Sequence, residues 1–86
     1  SRYLDPIKKR KMVAKVDKYV IEKIREKRIE KGISQSALAF ELDVSTSFIK
    51  LIESGKYGKK YNVSHINDIA RILECSLYDL LPAEPI

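Results

Sequence analysis

Residues 35–54 read QSALAFELDVSTSFIKLIES, and this stretch decides the fold. Leu38, Ala39 and Leu42 stand at i, i+1 and i+4, one apolar stripe at helical spacing. After a short break, Ile49 and Ile52 form an i, i+3 pair that Phe48 widens. The break is Asp43-Val44-Ser45. Asp tolerates a left-handed backbone better than most residues, and Ser45 is a good N-cap for the second helix. Ala39 lies where that helix must cross the first, and its small side chain permits close approach. Thr46, Ser47 and Lys50 are left on the outer face. The pattern is that of two short helices joined by a tight turn, a helix-turn-helix.

Working outward, Asp17 is placed to cap a preceding helix that runs to about Lys31, with Val20, Ile21, Ile24 and Arg28 inward and Gly32 as its left-handed stop. Ser34 caps the second helix, and Gly55 closes the third. Beyond the loop SGKYGKKYN, Ser64 is expected to cap a fourth helix through Ile66, Ile69, Ala70 and Leu73. Ser76 and Asp79 have the spacing of a capping box for a short fifth helix that Pro82 ends. The expected architecture is therefore all-α, a compact five-helix domain over 17–82, with a basic extension at 1–16 and an irregular tail at 83–86. The extension has two readings. Lys8-Lys9-Arg10-Lys11 suits a basic arm lying along a nucleic-acid backbone; alternatively Asp5-Pro6 starts an ordered element carrying Ile7, Val13 and Val16. Met12–Val16 is the one stretch with a trace of strand-like alternation.

Eighty-six residues suffice for one small core. The chain is 44% hydrophobic and 34% charged, with no apolar run approaching the roughly 20 residues that cross a membrane. No secretory leader pattern is present either, because Lys15 interrupts the short apolar run after the basic cluster. Cys75 stands alone, so no internal disulfide can form; at ILECSL it reads as a core filler, and a reducing cytoplasm is the expected setting.

The net charge of +5 is uneven. Residues 1–31 hold twelve Lys/Arg against five Asp/Glu, whereas 32–53 hold one against three. Lys56, Lys59 and Lys60 then appear with no acid between 54 and 63, and 64–86 carries Arg71 against four acids. Positive charge thus flanks a less charged third helix. Nucleic-acid binders often divide labour this way: phosphate contacts give affinity and base edges give specificity. With one His and one Cys, no metal site of ordinary spacing exists. No nucleophile–base arrangement or phosphate-cradling glycine loop is discernible, so neither enzyme activity nor a cofactor is expected.

Residues 24–81 resemble the DNA-binding domain of the phage-repressor and Cro-like group, the Xre family. The resemblance rests on Ile24-Arg25, Arg28, Gly32-Ile33-Ser34-Gln35, Leu38-Ala39, Val44-Ser45, Phe48-Ile49, Ile52-Glu53 and Gly55. Ile69-Ala70 and Leu77-Tyr78-Asp79-Leu80-Leu81 extend it, in the right order and at the right spacing. It implies that Gln35 bonds a DNA phosphate through its backbone N–H and side chain at a helix N-terminus. It also implies that Thr46, Ser47, Lys50 and Leu51 face base edges. Leu51 departs from the family, which more often has a long polar residue there; it meets either a thymine methyl or the core. Lys56, Lys59, Lys60 and Tyr61 fall where the family clamps further phosphates, with one of Tyr57 and Tyr61 alternatively anchoring the loop. Arg28 and Glu53 match a partly buried pair that ties the first helix to the third. Asp43 and Glu74 replace glycines usual in the family, at about 1 kcal/mol each where the backbone is left-handed.

The function so implied is a sequence-specific double-stranded DNA-binding transcriptional regulator, inserting helix 45–53 in the major groove as a two-fold dimer. The alternative is an antitoxin-type module that neutralises a partner toxin and represses its own operon, with the basic extension as the toxin-binding element. No membrane association is expected in either case.

Overall fold

The computed structural model describes residues 13–86; the readings of the basic arm and of an Asp5-Pro6 helix start lie outside them. Among these residues, four α-helices and one 3-10 turn succeed one another: α1 (Lys15–Glu30), α2 (Gln35–Leu42), α3 (Thr46–Ser54), α4 (Val63–Ile72) and the turn Leu77–Asp79. Among the described residues there is no strand, and no helix is long and apolar enough to cross a membrane.

Helix α1 starts before the expected cap. Ala14 precedes it without a side-chain cap, and Asp17 lies inside the first turn. There its negative charge faces the positive end of the helix dipole, a favourable position that does not require it to be the cap. Lys15 and Val16, at the end of the stretch with a trace of strand-like alternation, are helical. At the other end Gly32 takes φ +69°, and its N–H reaches the Ile29 carbonyl at 2.9 Å.

Ser34 and Ser45 cap α2 and α3, their hydroxyls accepting from the N–H groups of Ala37 and Phe48. Between the two helices Asp43 adopts φ 60°, ψ 46°, which lets the Val44 N–H return to the Ala39 carbonyl at 3.0 Å. Helix α4 begins differently from expectation. Asn62, two residues ahead of Ser64, is the N-cap: its Oδ1 accepts from the His65 N–H at 2.8 Å, and His65 Nδ1 accepts from the Asn62 N–H at 3.1 Å. This reciprocal pair satisfies two otherwise orphaned donors and leaves Ser64 within the first turn.

The expected fifth helix is only a 3-10 turn. Ser76 and Asp79 form the capping box, and the Ser76 N–H holds the Asp79 carboxyl below its ordinary range. The Leu80 N–H then closes on the Leu77 carbonyl at 3.0 Å, an i to i+3 bond. Pro82 disfavours helical backbone at Leu81, so the segment from Ser76 is too short to develop i to i+4 bonding.

The four helices meet in one core. Ile24 from α1, Leu38 from α2, Ile49 and Ile52 from α3, Ile69 from α4, and Leu73 and Leu80 beyond it are fully buried. Burying a side chain of this size contributes roughly 1.5–3 kcal/mol. Ala39 is buried as well, as its place between crossing helices requires. Cys75 packs against the core's edge, and burial pushes its thiol up from the ordinary range, away from the reactive thiolate.

Candidate nucleic-acid interface

The inner face of α3 is fixed by Ile49 and Ile52, so its outer face is fixed as well. Ser47, Lys50 and Leu51 are exposed there, and Thr46 is half-buried at the helix start with its hydroxyl 3.5 Å from that of Ser36 on α2. Leu51 lies at the surface and outside the core cluster.

Three helices converge on one carboxylate. Glu53, near the end of α3, receives Arg28 Nε and Nη2 on its two oxygens at 2.8 Å each, a bidentate pair with α1. Arg28 Nη1 donates to the Ile33 carbonyl at 2.8 Å, which pins the α1–α2 connection to the same guanidinium. Gln35 Nε2 donates to Glu53 Oε1 at 2.9 Å from the first turn of α2. The side chains of Arg28 and Glu53 are only 9% and 4% exposed, so the pair is sheltered from water and salt. Arg25, half-exposed, sits 3.9 Å from the same carboxylate and adds little. The Gln35 bond is absent from any single-sequence pattern: its signal is an amide and a carboxylate 18 positions apart.

The loop after α3 carries the acid-free basic run. Lys56, Lys59 and Lys60 are exposed, and Lys60 Nζ comes within 3.6 Å of Asp17 on α1. The two tyrosines of this loop divide their roles. Tyr57 points outward at a positive φ of 64°, a conformation that L side chains seldom adopt. Tyr61, expected among the phosphate contacts, is only 3% exposed, and its buried hydroxyl has no partner among the described residues. A side chain so placed anchors the loop and does not reach solvent phosphate. Its ring lies edge-on to Phe48 of α3 and His65 of α4, at 6.5 and 6.2 Å between centroids. Burial above all, with Glu53 adding to it, pushes the phenol well above its ordinary range, so it stays neutral. A buried hydroxyl without a partner costs about 1–3 kcal/mol. Tyr61→Phe is therefore expected to hold or raise stability, by up to about 1 kcal/mol, in a urea titration; a loss above that would reveal a bond to the hydroxyl.

The exposed cationic loop thus follows a helix that presents Ser47, Lys50 and Leu51 outward and is tied to α1 by a sheltered ion pair. Comparison with known proteins supplies the family. Residues 23–85 match the model of the Cro/C1-type HTH DNA-binding domain, and the chain belongs to that family. Among solved structures it is similar to the restriction-modification controller protein C.AhdI from Aeromonas hydrophila, at 27% identity and a TM-score of 0.64, covering 73% of this chain and 92% of that one. It also shares its fold with part of hydroxypropylphosphonic acid epoxidase from S. wedmorenis, at 22% identity and a TM-score of 0.67. That likeness covers 78% of this chain and 35% of the epoxidase chain, so this chain spans about a third of the enzyme's length. No curated protein sequence matches.

Proposed function

We propose that the chain is a sequence-specific transcriptional regulator that reads double-stranded DNA with α3 in the major groove and pairs as a two-fold dimer. The observation that carries this reading is the outward set Ser47, Lys50 and Leu51 on a helix clamped through Glu53 to both neighbours. Lys50 has the reach for guanine O6 or N7, Thr46 and Ser47 for several base edges, and Leu51 for a thymine methyl. Gln35, with the free N–H groups of the first turn of α2, takes one phosphate; Lys56, Lys59 and Lys60 take others. The similarity to a restriction-modification controller protein supports a regulatory role.

One reading helix covers a short half-site, so useful specificity demands two copies, with their α3 helices about 34–36 Å apart on successive major grooves. The C-terminal end is the pairing surface in this reading. Leu77, Leu81 and Ile86 are exposed there, and Tyr78 is 90% exposed. Sedimentation with and without duplex tests this. The wild type is expected to bind as two chains per site, and Leu77→Asp with Tyr78→Asp to bind as one. Removal of residues 1–12 should leave pairing intact; a truncated chain that no longer paired would move the interface to the extension.

A further inference from the structure

We propose that Glu53 is a positioning residue for DNA binding: it fixes the Gln35 amide in the orientation that grips a phosphate, and so couples the phosphate contact on α2 to the reading angle of α3. The inference rests on the reading of Gln35 as a phosphate contact.

An ionised carboxylate only accepts hydrogen bonds, so the group that Gln35 directs at Glu53 Oε1, 2.9 Å away, must be its NH2 and not its carbonyl. That settles which way the amide lies. One of its two N–H bonds is spent on Glu53, and the planar group carries the second N–H in a fixed direction. The Glu53 carboxylate is itself held by two 2.8 Å bonds from Arg28, whose third contact ties it to the Ile33 carbonyl two residues before Gln35. The Gln35 side chain therefore rests on a framework with little freedom of its own. Beside it, the Ala37 N–H is already taken by the Ser34 hydroxyl. The preceding N–H groups, those of Gln35 and Ser36, fall at the start of α2, where helix geometry provides no internal acceptor. A phosphate oxygen at that helix end meets backbone donors together with one preset side-chain donor. An unrestrained glutamine would lose rotamer freedom on binding, whereas this one has lost it already on folding.

A double-mutant cycle in duplex affinity, at a temperature where every variant is folded, tests the coupling. Gln35→Ala should weaken duplex binding about tenfold in the wild-type background, the range of a hydrogen bond to a charged group. Glu53→Gln leaves a single acceptor oxygen, which the charged Arg28 guanidinium takes ahead of the neutral Gln35 amide, so Gln35 loses its anchor; in that background Gln35→Ala should weaken binding by less than about twofold. Equal losses in both backgrounds would overturn the positioning role and leave the phosphate contact standing. No loss in the wild-type background would instead overturn the phosphate contact. Should Glu53→Gln not fold, the unaltered protein still decides. Gln35 is the only glutamine in the sequence, so its side-chain NH2 resonances identify themselves in NMR spectra. In the free protein their 15N order parameter should approach the value of about 0.85 typical of rigid backbone; one below about 0.6 would overturn the proposal.

Discussion

Glu53→Ala is expected to destabilise the fold by about 3–5 kcal/mol, the cost of leaving a buried charge without its partner. The Arg28 side chain is 9% exposed and gives two of its three hydrogen bonds to Glu53; the third, to the Ile33 carbonyl, cannot neutralise it. In a domain of this size each 1 kcal/mol moves the melting temperature by roughly 4–8 °C, so the loss should show as a drop of tens of degrees or as unfolding at ambient temperature. Replacing both partners, Arg28→Met with Glu53→Leu, removes the stranded charge and should be milder than Glu53→Ala alone. A thermal melt of Glu53→Ala matching that of the wild type would show that the three-helix junction does not depend on this carboxylate.

The second large effect concerns DNA, and its signature is a division between helix and loop. Lys50→Ala should reduce discrimination at one base position by about 1–3 kcal/mol, and Thr46→Ala should alter preference at another. Lys59→Ala and Lys60→Ala should weaken all duplexes about equally, each lowering the slope of log affinity against log salt by roughly one. Lys60 starts from a 3.6 Å approach to Asp17, but that pair is exposed enough for water and salt to make exchange for a phosphate easy. If loop variants changed base preference and helix variants did not, the orientation of the domain on DNA would be reversed.

Much of the fold is legible in the sequence because the decisive signals are local. The apolar spacings at Leu38/Leu42 and Ile49/Ile52, the serine caps at 34 and 45, and the stops at Gly32 and Gly55 all act within one or two turns of chain. Expectation and structure part where tertiary packing chooses between local options. Asn62 and Ser64 are both acceptable caps by composition; Asn62 is used, with His65 completing the box while its ring lies 5.2 Å from that of Phe48 on α3. No local rule ranks histidine as a capping-box partner. Tyr57 and Tyr61 are equivalent as sequence, and only the space beside Phe48 and His65 sends the second one inward. The fifth helix differs for the opposite reason: its cap forms as the spacing predicts, but the three-residue turn leaves no length for α-helical bonding before Pro82. Within the candidate interface, the outward residues of α3 are set by periodicity. The bond from Gln35 to Glu53 is not, because it depends on the crossing of α2 and α3 at a particular depth.

The left-handed residues illustrate the same division. Asp43 and Glu74 take φ 60° and 53° where the family more often has glycine, and each does so at the end of a helix, where the chain must turn and return an N–H. Tyr57, at φ 64° between Gly55 and Gly58, has no sequence signal beyond its neighbours.

That α3 of a paired molecule reads DNA sequence is tested most directly by selecting bound sites from a random duplex pool at about physiological salt, because specificity and half-site spacing emerge together. The expected result is enrichment of a near-palindromic site with half-site centres about 10–10.5 base pairs apart, or a multiple of that spacing, together with altered preference at one position in each half-site for Lys50→Ala. Recovery of an unenriched pool, bound with the salt dependence of phosphate contacts alone, would contradict it.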